Sequence, residues 1–315
     1  MEVLVNEEQI DVELENENTL GEVVHELSNW LQGMNLYITD LAVDRASHHL
    51  DEEGAWADRS ISEVGQIEIV ALPPWEVRLN GLRVLHNYVD ALADAVSRES
   101  WEESREILNE YPYIRQHMQE VIVDVFGRSG DTALDRATEK LDRVQKGENP
   151  SRHPEAEEEV VESPAHDVSV SLRQVSTVLA TRIRELATPF QEAGRTEQAL
   201  RTLMAELEEV SILLQTGEEQ KAMTLIVSFS ELVERLLRVL GAIEQRYGEG
   251  LVQPHSDEQP LREKTDELKA TLEELVGAFS DRDTVLIGDL LEYDLLPRVE
   301  EILALVPAAD GHEAS

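Results

Sequence analysis

The residues best suited to chemistry are few and scattered along the chain. Glu22-Val23-Val24-His25 has the Glu-x-x-His spacing of carboxylate-bridged di-metal bundles, where both side chains project inward from one helix. Such a centre needs a second copy and two more carboxylates, and the sequence holds no second copy. His48-His49-Leu50-Asp51 offers imidazole and carboxylate ligands for zinc, but in a polar stretch with no partner cluster. Asp281-Arg282-Asp283 looks like half of a cation loop. It lacks the glycine and the bidentate Glu of an EF-hand, and capping of the next helix by Asp is the simpler account. Asp289, Glu292 and Asp294 fall opposite Leu291, Leu295 and Val299, so they form a solvated face. There is no Gly-rich phosphate loop, no Gly-x-Ser-x-Gly elbow and no basic stripe with interleaved aromatics. The histidines stand singly, so only a triad assembled in space could use one. No catalytic, cofactor-binding or metal-ligating residue is assigned, and the chain is expected not to be an enzyme.

Composition narrows the field further. Lys+Arg is 27 and Asp+Glu is 66, a formal net charge of −39 over 315 residues. That charge repels phosphate backbones and anionic lipid, so nucleic acid and membrane are poor partners and a basic protein is a good one. Only five of the basic residues are lysine, a pattern that resembles a high-salt or GC-rich bacterial background. The absence of cysteine excludes disulfides, thiol catalysis and Cys-based metal sites. No secretory signal and no run of about 18–20 apolar residues is visible, so a cytoplasmic location is expected. Apolar residues make up 41% and aromatics 4%, a mostly aliphatic core suited to helix packing.

The elements that would position these residues follow from periodicity. Glu2–Val5 and the period-two run Ile10–Leu14 read as a hairpin across a polar turn. Thr19-Leu20-Gly21-Glu22 fits a capping box. Leu20, Val23, Val24, Leu27 and Leu31 then follow at helical spacing, with Gly33 as the expected stop. Residues 36–44 return to β character, Ser60–Gly65 reads as a tight turn, and 67–72 as a last strand apolar enough to sit centrally. Strand, strand, helix, strand, turn, strand in this order resembles the ubiquitin-like β-grasp fold over residues 1–72. Conjugating and sulfur-carrying members of that superfamily act through a C-terminal Gly-Gly. Here Leu72 runs into Pro73-Pro74-Trp75 instead, so the resemblance implies only a docking domain.

Beyond it the period is helical. The expected fold class is α+β: an N-terminal β-grasp domain, then a mainly α-helical body of antiparallel hairpins. Residues 75–146 form a helical hairpin region that Pro112 kinks or divides. Residues 147–166, rich in acid and proline, read as a disordered linker. Residues 167–306 form a bundle, and 307–315 a frayed tail. Within the bundle Pro189 is expected to bend a helix, Gly194 to make a corner, and Pro297 to kink the last helix. The bundle holds two similar hairpins, 207–240 and 272–305, whose apolar stripes suit coiled-coil-like packing. The first runs through Leu200, Leu203, Leu207, Val210 and Leu214, then Met223, Ile226, Val227, Val233, Leu236, Leu237 and Leu240. Shifted by 65 residues it meets the second without a gap, Leu207 on Leu272 and Ile226 on Leu291. A looser match places Leu92–Tyr111 on Val210–Phe229.

Trp30, Trp75 and Trp101 are the candidate partner-binding residues, because tryptophan is enriched at binding hot spots. The function these features favour is a non-enzymatic adaptor or scaffold. It docks one partner through the β-grasp unit and another, or itself, through helical hairpins. Two alternatives stand beside it. One is a chaperone or cytoplasmic component of a bacterial secretion or flagellar apparatus. The other is a metal-binding bundle or enzyme using Glu22, His25, His48 and His49.

Overall fold

The computed structural model describes residues 1–12, 17–126, 133–145, 164–207, 209–248, 261–281 and 283–306. Of the linker expected over 147–166, residues 147–163 lie outside the described residues, as do the tail from 307 and Glu13-Leu14 of the second strand; its last three residues, 164–166, open a helix instead. The chain divides into two compact units, 1–179 and 180–315.

The first unit opens with β1 (Glu2–Val5) and β2 (Glu8–Ile10), joined by Asn6-Glu7 at φ of 51° and 68°. A two-residue hairpin turn of this type needs positive φ at both central residues. Asparagine tolerates that geometry, and its side chain is used as well. The Asn6 amide donates to the Ala71 carbonyl at 2.9 Å and accepts from the Ala71 N–H at 2.9 Å. The side chain thus prolongs the pairing of β1 past the end of the strand.

Helix α1 (Leu20–Gly33) starts where the capping box predicts. Thr19 accepts from the Glu22 N–H, and the Glu22 carboxylate accepts from the Thr19 and Asn18 N–H groups at 3.1 and 2.6 Å. Those backbone donors, Asn18 first, hold the Glu22 carboxyl below its ordinary range. The helix ends at Gly33 as expected, but not through a left-handed glycine. Gly33 is helical, and the left-handed residue is Asn35 at φ 59°, after which the Leu36 N–H closes on the Leu31 carbonyl at 2.9 Å. Asparagine shares the left-handed tolerance of glycine, so type alone does not mark the stop.

Strands β3 (Tyr37–Val43), β4 (Ala46–His48) and β5 (Gln66–Leu72) complete the sheet in the order β2-β1-β5-β3-β4. Only β1 and β5 are parallel. This N-terminal mixed five-stranded sheet is consistent with a β-grasp fold. Leu20, Val23, Val24, Leu27 and Leu31 of α1 bury against Val3, Val5, Leu41, Val43, Ile67 and Ile69 on one face. A tight 3₁₀ turn, Ile61–Glu63, precedes β5 as expected.

Helix α1 enters this core at close range. The Gly21 N–H donates to the Ala57 carbonyl at 2.9 Å, and a Cβ on Gly21 would stand 2.9 Å from the Ala57 Cβ and 3.2 Å from its oxygen. Alanine for glycine within a helix ordinarily gains about 1 kcal/mol. Here Gly21→Ala is expected to lose about 1–3 kcal/mol in urea unfolding, because backbone must move. A stabilised variant would show that the Ala57 loop yields freely.

The helical body follows. Helix α2 (Pro74–Ser97) buries Leu79, Leu82, Leu85, Val89, Leu92 and Val96, and leaves Val77 and Val84 exposed. Pro112 divides rather than kinks: α3 (Trp101–Asn109) ends before it, α4 (Tyr111–His117) carries it in its first turn, and α5 (Gln119–Phe126) begins anew. Then come α6 (Ala133–Gln145) and α7 (Pro164–Ala187). The unit boundary falls within α7.

In the second unit α8 (Pro189–Leu207) starts at Pro189, which separates two helices instead of bending one. Gly194 lies inside α8, so the corner expected there does not exist. Helix α9 (Val210–Gln215) is distinct from α8, breaking the single stripe expected from Leu200 to Leu214. Helix α10 (Glu219–Tyr247) is the long central element. Met223 and Val227, expected on its apolar stripe, are exposed; Ala222, Ile226, Phe229, Val233, Leu236, Val239 and Leu240 are the buried ones. Helix α11 (Leu261–Ser280) and α12 (Thr284–Asp289) follow, the latter capped by the Asp283 carboxylate on the Leu286 N–H at 3.0 Å. Val276, Val285 and Leu286, apolar residues of the second expected hairpin, are exposed as well.

The expected Pro297 kink is a π-helical segment, Leu290–Leu295, running into α13 (Leu296–Leu303). Proline has no N–H to give to the carbonyl four residues back, and the wider π turns precede it. A π segment adds one residue to a helix without turning its faces, and the internal repeat records that residue. Up to the first turn of the segment the shift of 65 pairs Val210 with Leu275, Ala222 with Ile287 and Ile226 with Leu291. From the last residue of the segment onward a shift of 66 pairs Phe229 with Leu295, Val233 with Val299, Leu236 with Ile302 and Val239 with Leu305, all buried. The gap-free match expected at 65 is therefore overturned: the second copy holds one extra residue. The looser match at 92–111 does not extend, since α10 is unbroken where the first unit has three short helices.

Candidate docking surface on the sheet

Sheet register builds the most developed surface in the first unit. Pairings Leu4–Gln9, Leu4–Glu68, Ala42–Glu68 and Ala42–Ser47 set Gln9, Leu4, Glu68, Ala42 and Ser47 in one line across all five strands. Lateral partners share a face, and this face is opposite the one that α1 covers. The next line pairs Asp40 with Val70, and beyond it Tyr37 with Leu72. A groove of about 770 Å³ lies on this face, lined among others by Leu4, Glu7, Asp40, Ala42, His48, Glu68 and Val70. Val70 is 41% and Tyr37 46% exposed. Strand β5 is central, as its composition predicts, but the burial on both faces that such composition implies does not hold.

The candidate ligands are not gathered. Glu22 is occupied in the α1 cap, and His25 is exposed on α1. His48 and His49 line the groove on the other side of the sheet, with the Trp56 indole N–H fixed on the His49 carbonyl at 3.1 Å. His48 ends strand β4 instead of lying in a loop. Among the described residues no group of three His, Asp or Glu side chains is placed to hold a metal ion.

The tryptophans lie on separate elements. Trp30 is 49% exposed on α1 and lines a smaller groove of about 340 Å³ with Ile10, Val12, Val23 and Leu27. Trp75, in the first turn of α2, and Trp101, opening α3, are half-buried. Trp56 is buried.

Two polar clusters join residues that are distant in sequence. In the first unit the Ser176 hydroxyl of α7 stands 3.2 Å from His86 Nε2, and His86 Nδ1 stands 3.5 Å from Asp90 on α2. These are the residue types of a nucleophile triad, but the roles do not match. The hydroxyl donates directly to Asp90 at 2.5 Å, so its proton is not aimed at the imidazole that a triad would use as base. The cluster ties α7 to α2. In the second unit Glu185 and Glu192 are buried among arginines. Arg238 donates to Glu185 through Nε and Nη2 at 3.1 and 3.2 Å, and Arg182 adds a contact at 3.1 Å. Arg235 reaches both carboxylates, and Arg195 reaches Glu192 at 2.6 Å. Burial pushes the Glu185 carboxyl up despite the arginines. No sequence motif marks either cluster, because each spans separate helices.

The residues of the outer sheet face carry no motif for a different reason. Their one sequence signal is the alternation of Glu68 and Val70 with Ile67 and Ile69, which shows two faces but not that one stays uncovered.

Two family models match parts of the chain. Residues 1–73 match the one described as TP0873 N-terminal domain, and residues 192–304 match the domain of unknown function DUF8042. The second match spans both copies of the internal repeat. No curated protein and no solved structure matches the chain.

Proposed function

We propose that the protein is a non-enzymatic adaptor that docks a protein partner on the outer face of its N-terminal sheet. The observation that carries this reading is that face itself: a groove of about 770 Å³ over an aliphatic floor of Leu4, Ala42 and Val70, opposite the face that α1 fills. An exposed apolar surface with a polar rim is the usual form of a protein interaction site. The helical unit supplies a second arm, on which Ile212, Val276, Val285 and Tyr293 stay exposed among acidic neighbours. A net charge of −39 turns both arms away from nucleic acid and anionic membranes.

Site-specific photo-crosslinking in the source cells tests this. A benzophenone side chain at position 70 is expected to give a discrete adduct with one protein. The same group at exposed Gln32 on α1 should not. No adduct at 70, or identical adducts at both positions, would overturn the docking reading.

A further inference from the structure

The chemistry of the groove specifies its occupant. We infer that the outer sheet face binds a basic segment of another protein, one in which Lys or Arg alternates with aliphatic residues. This rests on the docking reading above and extends it to the class of partner.

The floor of Leu4, Ala42 and Val70 offers apolar contact for aliphatic side chains. Around it stand the carboxylates of Glu7, Asp40 and Glu68, and no Lys or Arg lines the groove. Among the described residues none of these three carboxylates has a basic side chain within ion-pair distance. Among the described residues the one hydrogen-bond donor to any of them is the Thr39 hydroxyl, 2.9 Å from Asp40. Residues 1–72 hold seventeen Asp and Glu against two arginines, Arg45 and Arg59, and no lysine. Arg59 is already held by Asp44 at 2.5 Å and by the Glu63 carbonyl at 3.0 Å. The rim charges therefore lack an internal counter-ion, and a cationic segment supplies one. A second copy of this chain would bring acid to acid, so like-charge repulsion disfavours self-association through this face. Glu68 lies between Leu4 and Ala42 in the line across the sheet. A bound segment thus meets charge and apolar surface side by side.

The test uses the full chain and a labelled 14-residue Lys/Leu amphipathic peptide, with its Glu/Leu counterpart as control. Binding is read by fluorescence anisotropy at two salt concentrations. A protein of this charge attracts any cation, so the comparison is between two neutralised sets. The groove set is E7Q, D40N and E68Q. The distant set is E273Q, E274Q and D289N, exposed positions of the helical unit. The groove set is expected to weaken the Lys/Leu peptide about tenfold and the distant set less than twofold. Val70→Ser is expected to weaken it about fivefold, an effect that persists at high salt, where charge attraction is screened. Equal weakening by both sets would reduce the interaction to bulk charge and overturn the inference. The adduct at position 70 separates the two readings. If it forms but the Lys/Leu peptide does not compete with it, the basic-segment inference fails and the docking reading stands. If no adduct forms, the docking reading itself fails.

Discussion

Arg235→Met is expected to lower the stability of the helical unit by about 3–5 kcal/mol, the usual loss when one partner of a buried ion pair is removed. Among the described residues Arg235 is the one cation within ion-pair distance of both Glu185 and Glu192. The two glutamates are 3% and 1% exposed, so water cannot take its place. Adding Glu192→Gln should recover part of the loss, because the uncompensated charge is then gone. Urea unfolding followed by circular dichroism reads both effects, and a loss below about 1 kcal/mol would mean that the remaining arginines suffice. Glu185 adds a pH dependence of known sign. Its folded pKa lies above the ordinary 4.5, since burial outweighs the arginines. The folded state therefore binds the proton more tightly than the unfolded chain does. Wild type should gain on Glu185→Gln as pH falls toward 4.5 and lose that gain as pH rises through the folded value. A difference independent of pH would refute the shift.

The second large effect separates two deletions of one residue each. Removing Ser228 from α10 rotates everything after it by about 100°. Phe229, Val233, Leu236 and Leu240 then leave the core, at roughly 1.5–3 kcal/mol each. That approaches the whole stability of a typical domain, about 5–15 kcal/mol, and the helical unit is expected not to fold. Removing Tyr293, which is 67% exposed in the π segment, should restore ordinary α turns and the uniform shift of 65. Val299 and Ile302 would keep their face. Pro297 would then meet the carbonyl of Glu292 within a regular helix, at about 3 kcal/mol, so the deletion is best made with Pro297→Ala. Helicity at 222 nm and melting temperature compare the two variants. Equal collapse in both would show that the π segment is not an added residue.

These contrasts show what was legible in the sequence. The capping box at Thr19 and Glu22, the turn at Ile61 and the order of the expected elements in residues 1–72 rest on local backbone chemistry, and the structure keeps them while adding a short strand, β4, that the order lacked. Helical periodicity located the stripes but not their limits. Met223, Val227, Val276, Val285 and Leu286 are apolar by type, yet exposed, because burial depends on which helix lies opposite. Gly194 fits inside α8 because one glycine costs a packed helix only about 1 kcal/mol. The extra residue of the second copy leaves no mark on residue types, and shows only in which of them are buried. The outer sheet face was least legible. Glu68 and Ala42 become neighbours only through the register of β3 on β5, and its openness only through the position of α1.

The turn at Asn6-Glu7 places a side chain where glycine would be the easier residue. At φ 68° a β-carbon works against Glu7, by about 1 kcal/mol relative to glycine. The same residue lines the outer groove. The hairpin is thus less stable than a one-residue change could make it, and the side chain retained there is a carboxylate. A screen for thermal stability alone would be drawn to Glu7→Gly, and would blunt the rim of the groove as it succeeded.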